Sequence, residues 1–288
     1  MAITYHNLYL DLRRALRLAG APSPDLEARE LVCFATGKTK EELLSVGGLY
    51  ISNDLEHRAR ALLERHLNGE PVAYLIGEWE FYGLPLDITP DVLIPRPDTE
   101  VLVDKAIAFC NEKNPCRILD LCAGSGCVGL ALASQLPHAR VILGELSEGA
   151  LKVCRQNTRR NGLTSQVSTL QVDALVKPAS TLGTFDCLVS NPPYIPSADV
   201  VTLDTSVKDF EPLMALDGGD DGLDFYRYIA KEWKSILKPN GGLYFEVGID
   251  QAEAVMGIMA DQGFGNLEIV KDLGDIPRVV YGTLCQQV

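Results

Sequence analysis

Long apolar runs are missing from this 288-residue chain. No stretch approaches the roughly 18–20 residues that a helix needs to span a bilayer, so no membrane association is expected. Paired cysteines are missing as well. The eight cysteines include no CxxC; the closest two are Cys122 and Cys127, then Cys110 and Cys116 with Cys116 and Cys122 equally spaced, and the four histidines are scattered. That spacing argues against a metal site and for free thiols packed as small hydrophobes. Positive charge is also scarce, with 26 Lys and Arg against 39 Asp and Glu, a net −13. Residues 1–70 hold 9 basic and 10 acidic side chains and the remainder 17 and 29, so the acidity lies beyond the first seventy residues. A protein that grips bare nucleic acid needs a basic face, and this balance disfavours a nucleic-acid substrate. The opening Met1-Ala2-Ile3-Thr4-Tyr5-His6 lacks the basic-then-apolar layout of a secretory signal, and a cytoplasmic location is the expectation. What is present is an ordinary globular composition, 47% hydrophobic with mean hydropathy +0.06, long enough for one large domain or for a main domain with a smaller companion.

The first seventy residues read as helices. Leu8, Leu12, Leu16 and Ala19 form one apolar stripe before Gly20. Ser23-Pro24-Asp25 supplies an N-cap, a proline at the first helical position and an acid in the first turn, and the helix carrying Leu31, Val32 and Phe34 ends at Gly37. A third helix runs from Ser52-Asn53 to Asn68-Gly69-Glu70-Pro71. Residues 72–98 are aromatic and punctuated by glycine, and read as a β-hairpin linker. From residue 99 helix and strand patterns alternate. Strands are expected at Arg117–Leu121, Arg140–Gly144, Gln166–Val172, Phe185–Val189 and Gly242–Val247, with helices at Val101–Cys110, Glu148–Asn161 and Phe225–Leu237. This predicts a doubly wound, mostly parallel α/β sheet over residues 99–288. Two patterns at Leu267–Asp272 and Arg278–Leu284, joined by a short turn, predict an antiparallel finish.

Between the first strand of that sheet and its helix stands Asp120-Leu121-Cys122-Ala123-Gly124-Ser125-Gly126-Cys127-Val128-Gly129. Gly124, Gly126 and Gly129 satisfy G-x-G-x-x-G, and Glu145 ends the next strand 19 positions after Gly126, where a ribose-binding acid belongs. The spacing alone fits a nicotinamide dinucleotide as well as S-adenosylmethionine. Asp120 tilts the choice: a carboxylate at the loop mouth repels a diphosphate but favours a cationic, phosphate-free ligand such as S-adenosylmethionine. The candidate cofactor residues are therefore Asp120, Cys122, Ala123, Gly124, Ser125, Gly126 and Glu145. Asp173, after the third strand, is placed to accept from an adenine amino group with Ala174 against the ring; its plainer reading is a turn residue.

Ser190-Asn191-Pro192-Pro193-Tyr194 follows directly on a buried strand, where ligands meet in an open α/β sheet. Two prolines cannot continue a ladder and fix the backbone. The set suits methyl transfer to a planar, conjugated nitrogen. The Asn191 side-chain oxygen and the Pro192 carbonyl can accept the two N–H bonds of an amide, aim its lone pair and stabilise charge growing on nitrogen. Tyr194 offers a face for stacking, and Pro193 completes the candidate substrate-binding turn. No strong base is required, because an N-methylated amide cation loses its proton readily.

With Val92-Leu93-Ile94-Pro95-Arg96-Pro97-Asp98-Thr99-Glu100, the glycine loop and Asn191-Pro192-Pro193-Tyr194, the chain resembles the HemK/PrmC-type release factor glutamine methyltransferases. The likeness extends through residues 71–77, Glu80-Phe81-Tyr82-Gly83, Phe210-Glu211-Pro212, Glu246-Val247-Gly248 with Gln251, Gly274-Asp275 and Arg278. It implies a class I methyltransferase sheet and S-adenosylmethionine as donor. It also implies N5 methylation of the glutamine in the Gly-Gly-Gln motif of class I release factors, with residues 1–71 as the docking domain for that partner. Ala123 and Glu145 depart mildly from the family pattern, where threonine and aspartate are common. A glutamine on a ribosomal protein would share every motif. Adenine-N6 methylation of nucleic acid would call for a basic face and a recognition insert. A dehydrogenase is disfavoured by Asp120, and a non-catalytic adaptor by the intact motif set. Arg96 reads either as a ligand-ordering cation or as a partner of Asp98 or Glu100, and Asp217–Gly222 as a solvated acidic loop.

Overall fold

The computed structural model describes residues 3–285, and the chain divides into two compact units between Gly77 and Glu78. The first is helical: α1 (Tyr5–Leu18), α2 (Pro24–Thr36), α3 (Lys40–Ser45), α4 (Asn53–Leu67) and α5 (Val72–Ile76). Its core is the stripe expected on α1, with Leu8, Leu12 and Leu16 buried against Ala28, Leu31 and Val32 of α2 and Ala59 of α4. Pro24 opens α2 and Gly37 closes it in the left-handed region at φ 66°, which glycine adopts without a Cβ clash. Phe34 faces outward, with the Arg58 guanidinium over its ring. The short α3 was not expected. Its signal is local: Thr39 and Glu42 form a reciprocal capping box.

The sequence reading puts residues 72–98 in one hairpin linker, and the structure divides that span. Residues 72–76 form α5, which starts after Pro71 and stops at the left-handed Gly77, and packs on α2 within the first unit. The hairpin itself is β1 (Glu78–Phe81) and β2 (Leu84–Asp87). Its turn residues, Tyr82 at φ 52° and Gly83 at φ 74°, give the left-handed pair that matches strand twist. Asn157, fully buried, holds the hairpin down: it accepts from Asp87 N–H and donates to the Asp87 carbonyl.

The rest of the second unit alternates as α6 (Glu100–Cys110), β3 (Cys116–Leu121), α7 (Cys127–Gln135), β4 (Ala139–Glu145), α8 (Glu148–Arg160), β5 (Val167–Gln171), β6 (Phe185–Ser190), α9 (Thr205–Lys208), α10 (Asp224–Glu232), β7 (Leu237–Glu246), α11 (Ala252–Asp261), β8 (Phe264–Lys271) and β9 (Pro277–Leu284). The seven-stranded sheet runs in the order β5-β4-β3-β6-β7-β9-β8. All pairings are parallel except those of β9 with β7 and β8. The class I methyltransferase sheet with its antiparallel finish is thus present. β6 is buried along its whole length, as a strand covered on both faces must be. The helix expected to reach Leu237 ends at Glu232; a 3₁₀ turn over Trp233–Ile236 follows, and Leu237 already belongs to β7. No described helix is long and apolar enough to cross a membrane.

Candidate active site

The parallel strands β3, β4, β5 and β6 end at one face of the sheet, and a cavity of about 700 Å³ opens there, the place where an open α/β sheet presents its loops to ligands. Among the expected cofactor residues, Asp120, Cys122, Ala123, Gly124, Ser125, Glu145, Asp173 and Ala174 all line it, as do Asn191 and Pro193. Gly126 lies beneath as the left-handed N-cap of α7 at φ 82°. Gly129 lets α7 lie against β4, for a Cβ there would sit 2.2 Å from Leu143 Cδ2.

The loop is held from below. Cys122 is left-handed at φ 64°, a conformation uncommon outside glycine and concentrated where backbone is shaped for a ligand. Gly124 N–H donates to Glu145 Oε2 at 2.9 Å and Ser147 N–H to Glu145 Oε1 at 2.8 Å. Each carboxylate oxygen keeps a second acceptor site free of those bonds. Asp120 is buried and accepts Gly129 N–H at 2.8 Å; burial pushes its pKa up to about 7, against that hydrogen bond and with the Glu145 charge adding to the rise. Asp173 accepts Leu175 N–H at 2.8 Å, so it is a turn residue and a cavity residue at once. Burial holds the thiols of Cys122 and Cys127 above their usual range, which leaves neither as a thiolate nucleophile.

The Asn-Pro-Pro-Tyr turn leaves β6 beside the glycine loop, and Ser190 Oγ ties the two strands by donating to the Leu121 carbonyl at 2.6 Å. Asn191 Nδ2 donates to Thr99 Oγ1 at 3.4 Å. Pro192 and Tyr194 are not part of the cavity lining. Tyr194 packs against the main core, and burial lifts its hydroxyl pKa to about 12.

Two readings from the sequence change here. Arg96 pairs with neither Asp98 nor Glu100. Its guanidinium meets Glu211 at 2.5 Å, Asp98 goes to Arg278, and Glu100 accepts the Tyr82 N–H. Glu211 is nearly inaccessible, so the pair ties the Ile94–Pro97 segment to the Phe210–Pro212 turn. The stretch Asp217–Gly222 is solvated only in part: Asp220 and Asp221 are exposed, while Gly218 and Gly222 are buried. Gly218 N–H donates to the Ile195 carbonyl at 2.8 Å, Ser197 N–H to the Gly219 carbonyl at 2.9 Å, and Gly218 and Gly219 line the cavity. The glycines permit this contact: a Cβ on Gly218 would be 2.7 Å from Tyr194 Cα and one on Gly222 2.3 Å from the Tyr194 carbonyl oxygen. Sequence reading also missed the wall at Pro212–Ala215 and the rim at Asp91–Leu93; the Phe-Glu-Pro and Val-Leu-Ile-Pro motifs are the signals that mark both.

Comparison with known proteins gives the family. Residues 8–77 match the family model of the PrmC N-terminal domain and residues 99–206 that of the methyltransferase small domain. The release factor glutamine methyltransferase of Geobacter sulfurreducens is 42% identical over 271 residues, covering 92% of this chain and 91% of that protein. That of Agrobacterium fabrum is 40% identical over 272 residues, covering 93% of each. A crystal structure of a methyltransferase from Pyrococcus furiosus has the same fold, with TM-score 0.51 at 17% identity over 77% of this chain and 98% of that one. The chain belongs to the release factor glutamine methyltransferase family.

Proposed function

We propose that this protein methylates the side-chain amide nitrogen of the glutamine in the Gly-Gly-Gln motif of class I release factors, with S-adenosylmethionine as methyl donor. The observation that carries the reading is the meeting of Asn191 with the glycine loop and Glu145 around one cavity. The cavity suits the donor on two grounds. Its size lies within the usual range for a small-molecule site. Its described lining holds six carboxylates, those of Asp91, Asp120, Glu145, Asp173, Asp217 and Asp224, and Arg96 as its one Lys or Arg, which favours a cationic ligand over a diphosphate. S-adenosylmethionine supplies an electrophilic methyl group and departs without it.

The chain's own residues do the rest. Glu145 is assigned the ribose hydroxyls and Asp173 the adenine amino group, with the backbone of 122–126 and Asp120 around the methionine part. Asn191 Oδ1 and the Pro192 carbonyl accept the two N–H bonds of the substrate amide, which turns its lone pair toward the methyl carbon. Their partial negative charge stabilises the positive charge that develops on nitrogen. Tyr194 stands outside the described lining and is half-buried; the face it leaves open is the surface proposed to lie along the planar amide. The helical unit, residues 1–77, is assigned to holding the release factor.

The test is transfer of radiolabelled methyl to purified release factor, in parallel with its Gln→Ala form in the Gly-Gly-Gln motif. Label on the first alone is expected; label on both, or on neither, overturns the assigned target. Asn191→Ala should abolish turnover while the cofactor isotherm shifts only modestly, and unchanged turnover would remove Asn191 from the mechanism.

A further inference from the structure

We propose that Glu246 is a positioning residue for methyl transfer, a buried carboxylate that fixes which end of the Asn191 amide faces the substrate. The inference rests on, and deepens, the reading of Asn191 as acceptor of the substrate N–H.

The strand register brings the two residues side by side. Val189 and Ser190 of β6 pair with Tyr244 and Phe245 of β7, so the next residues along, Asn191 and Glu246, leave the sheet as neighbours. Glu246 is 2% exposed, as is Thr99. Thr99 and Asn191 are the polar side chains beside it that hold its pKa down, and Asn191 Nδ2 donates to Thr99 Oγ1. One carboxylate oxygen, Oε2, is buried with no hydrogen-bond partner. A buried carboxylate with an idle oxygen is costly to a fold, and a covered sheet end has no structural need of one.

An asparagine amide has two ends of nearly equal size, and only the oxygen end can accept a substrate N–H. An ionised carboxylate accepts and cannot donate. Behind Asn191 it therefore draws Nδ2 inward and leaves Oδ1 toward the cavity. A protonated Glu246 can donate its own O–H to Oδ1 and favours the opposite, unproductive orientation. Burial raises this carboxyl to about 7. Arg278 on β9 opposes the rise and Asp98 adds to it; Tyr194, Tyr226 on α10 and Cys127 on α7 also face the group. Turnover should thus increase as pH rises through about 7.

The experiment measures kcat, KM for release factor and the S-adenosylmethionine isotherm across that pH range for the parent enzyme, Glu246→Gln, Glu246→Ala and Asn191→Ala. Glu246→Ala should lose kcat by about 100-fold, the scale set by misplacing a reacting group by an ångström, with KM and the isotherm little changed. In Glu246→Gln the carboxamide Oε1 offers Asn191 an acceptor that does not titrate, so kcat should recover much of that loss and its rise through neutral pH should vanish. A Glu246→Ala enzyme with parental kcat, or a Glu246→Gln enzyme with the parental pH profile, overturns the proposal. Should Glu246→Ala fail to fold, the Glu246→Gln profile decides alone. An active Asn191→Ala enzyme instead overturns the role of Asn191 itself. An inactive Asn191→Ala beside a fully active Glu246→Ala refutes only the present inference.

Discussion

Replacing Glu145 by Gln separates two roles that the structure superposes on one side chain. The carboxylate accepts Gly124 N–H through one oxygen and Ser147 N–H through the other, at 2.9 and 2.8 Å. A carboxamide has a single oxygen, so it keeps one of those bonds and turns an NH2 toward the other N–H. Hydrogen bonds to charged groups contribute about 1.5–3 kcal/mol each. Glu145 is half-buried, so the lower end, about 1.5 kcal/mol, applies. In a unit of this size each kcal/mol moves Tm by about 2–4 °C, and the ligand-free variant should melt about 3–6 °C below the parent. Ribose contact adds a second loss. Weakening one bond to a bound hydroxyl by about 1.4 kcal/mol raises Kd tenfold. Thermal melts without ligand and calorimetric titration with S-adenosylmethionine read the two effects separately. A lowered Tm with an unchanged isotherm would leave Glu145 as a brace for the glycine loop and refute the ribose contact. An unchanged Tm would refute the brace.

Gly129→Ala should lower Tm, because its Cβ would meet Leu143 Cδ2 at 2.2 Å, Asp120 Oδ2 at 3.0 Å and Val141 Cγ1 at 3.1 Å. Overpacking of that kind costs about 1–3 kcal/mol, more than the roughly 1 kcal/mol that alanine gains over glycine within a helix. Gly257→Ala in α11, with nothing within 4 Å of the new Cβ, is the control and should hold or raise Tm. The buried carboxyls of Asp120 and Glu246 give a pH prediction: both are pushed up to about 7. A raised folded pKa contributes stability that is complete below the unfolded pKa of about 4 and is lost as pH rises through the folded one. Ligand-free Tm should therefore decline toward neutral pH, and Asp120→Asn with Glu246→Gln should flatten that decline relative to the parent; parallel curves would contradict the assigned shifts.

Most of the sheet is legible in the sequence because each strand announces itself by burial. Phe185–Ser190 is covered on both faces and is apolar apart from Asp186 and Ser190, while the loops that follow carry glycine, proline and acid. The glycine loop and Glu145 are legible for a different reason: both lie at fixed offsets from strand ends, and parallel pairing of β3 with β4 converts those offsets into proximity. What the sequence conceals is contact between distant segments. Arg96 and Glu211 stand 115 positions apart, and no local pattern separates that partner from Asp98 or Glu100. The loop at Asp217–Gly222 misleads by composition, since acid and glycine together usually mean solvent. Here the glycines serve approach to the Tyr194 backbone, and Gln251 locks the contact by donating to the Tyr194 carbonyl at 2.8 Å. Residues 72–76 mislead by length, one helical turn between Pro71 and Gly77 being too short to show a period.

The same glycine spacing serves dinucleotides and S-adenosylmethionine alike, so the choice between them falls to charge, and the structure sharpens that choice beyond Asp120. A diphosphate site needs donors and positive potential at the N-terminus of the helix after the loop. Here the Gly124 N–H at that end is already satisfied by Glu145, and the Gly129 N–H by Asp120. Arg96, the one Lys or Arg of the described lining, spends its charge on Glu211. The potential left in the cavity is negative, and Asp120 adds to it in proportion to its ionisation. A cation near Asp120 stabilises the carboxylate and lowers its pKa from about 7. Ligand and proton then compete for one group, so binding of a sulfonium or ammonium at the loop should tighten as pH rises, whereas a phosphate ligand would be repelled more strongly over the same range. On the proposed reading, the carboxylate under the loop, the two occupied N–H groups and the spent charge of Arg96 act together to favour a sulfonium nucleoside over a dinucleotide.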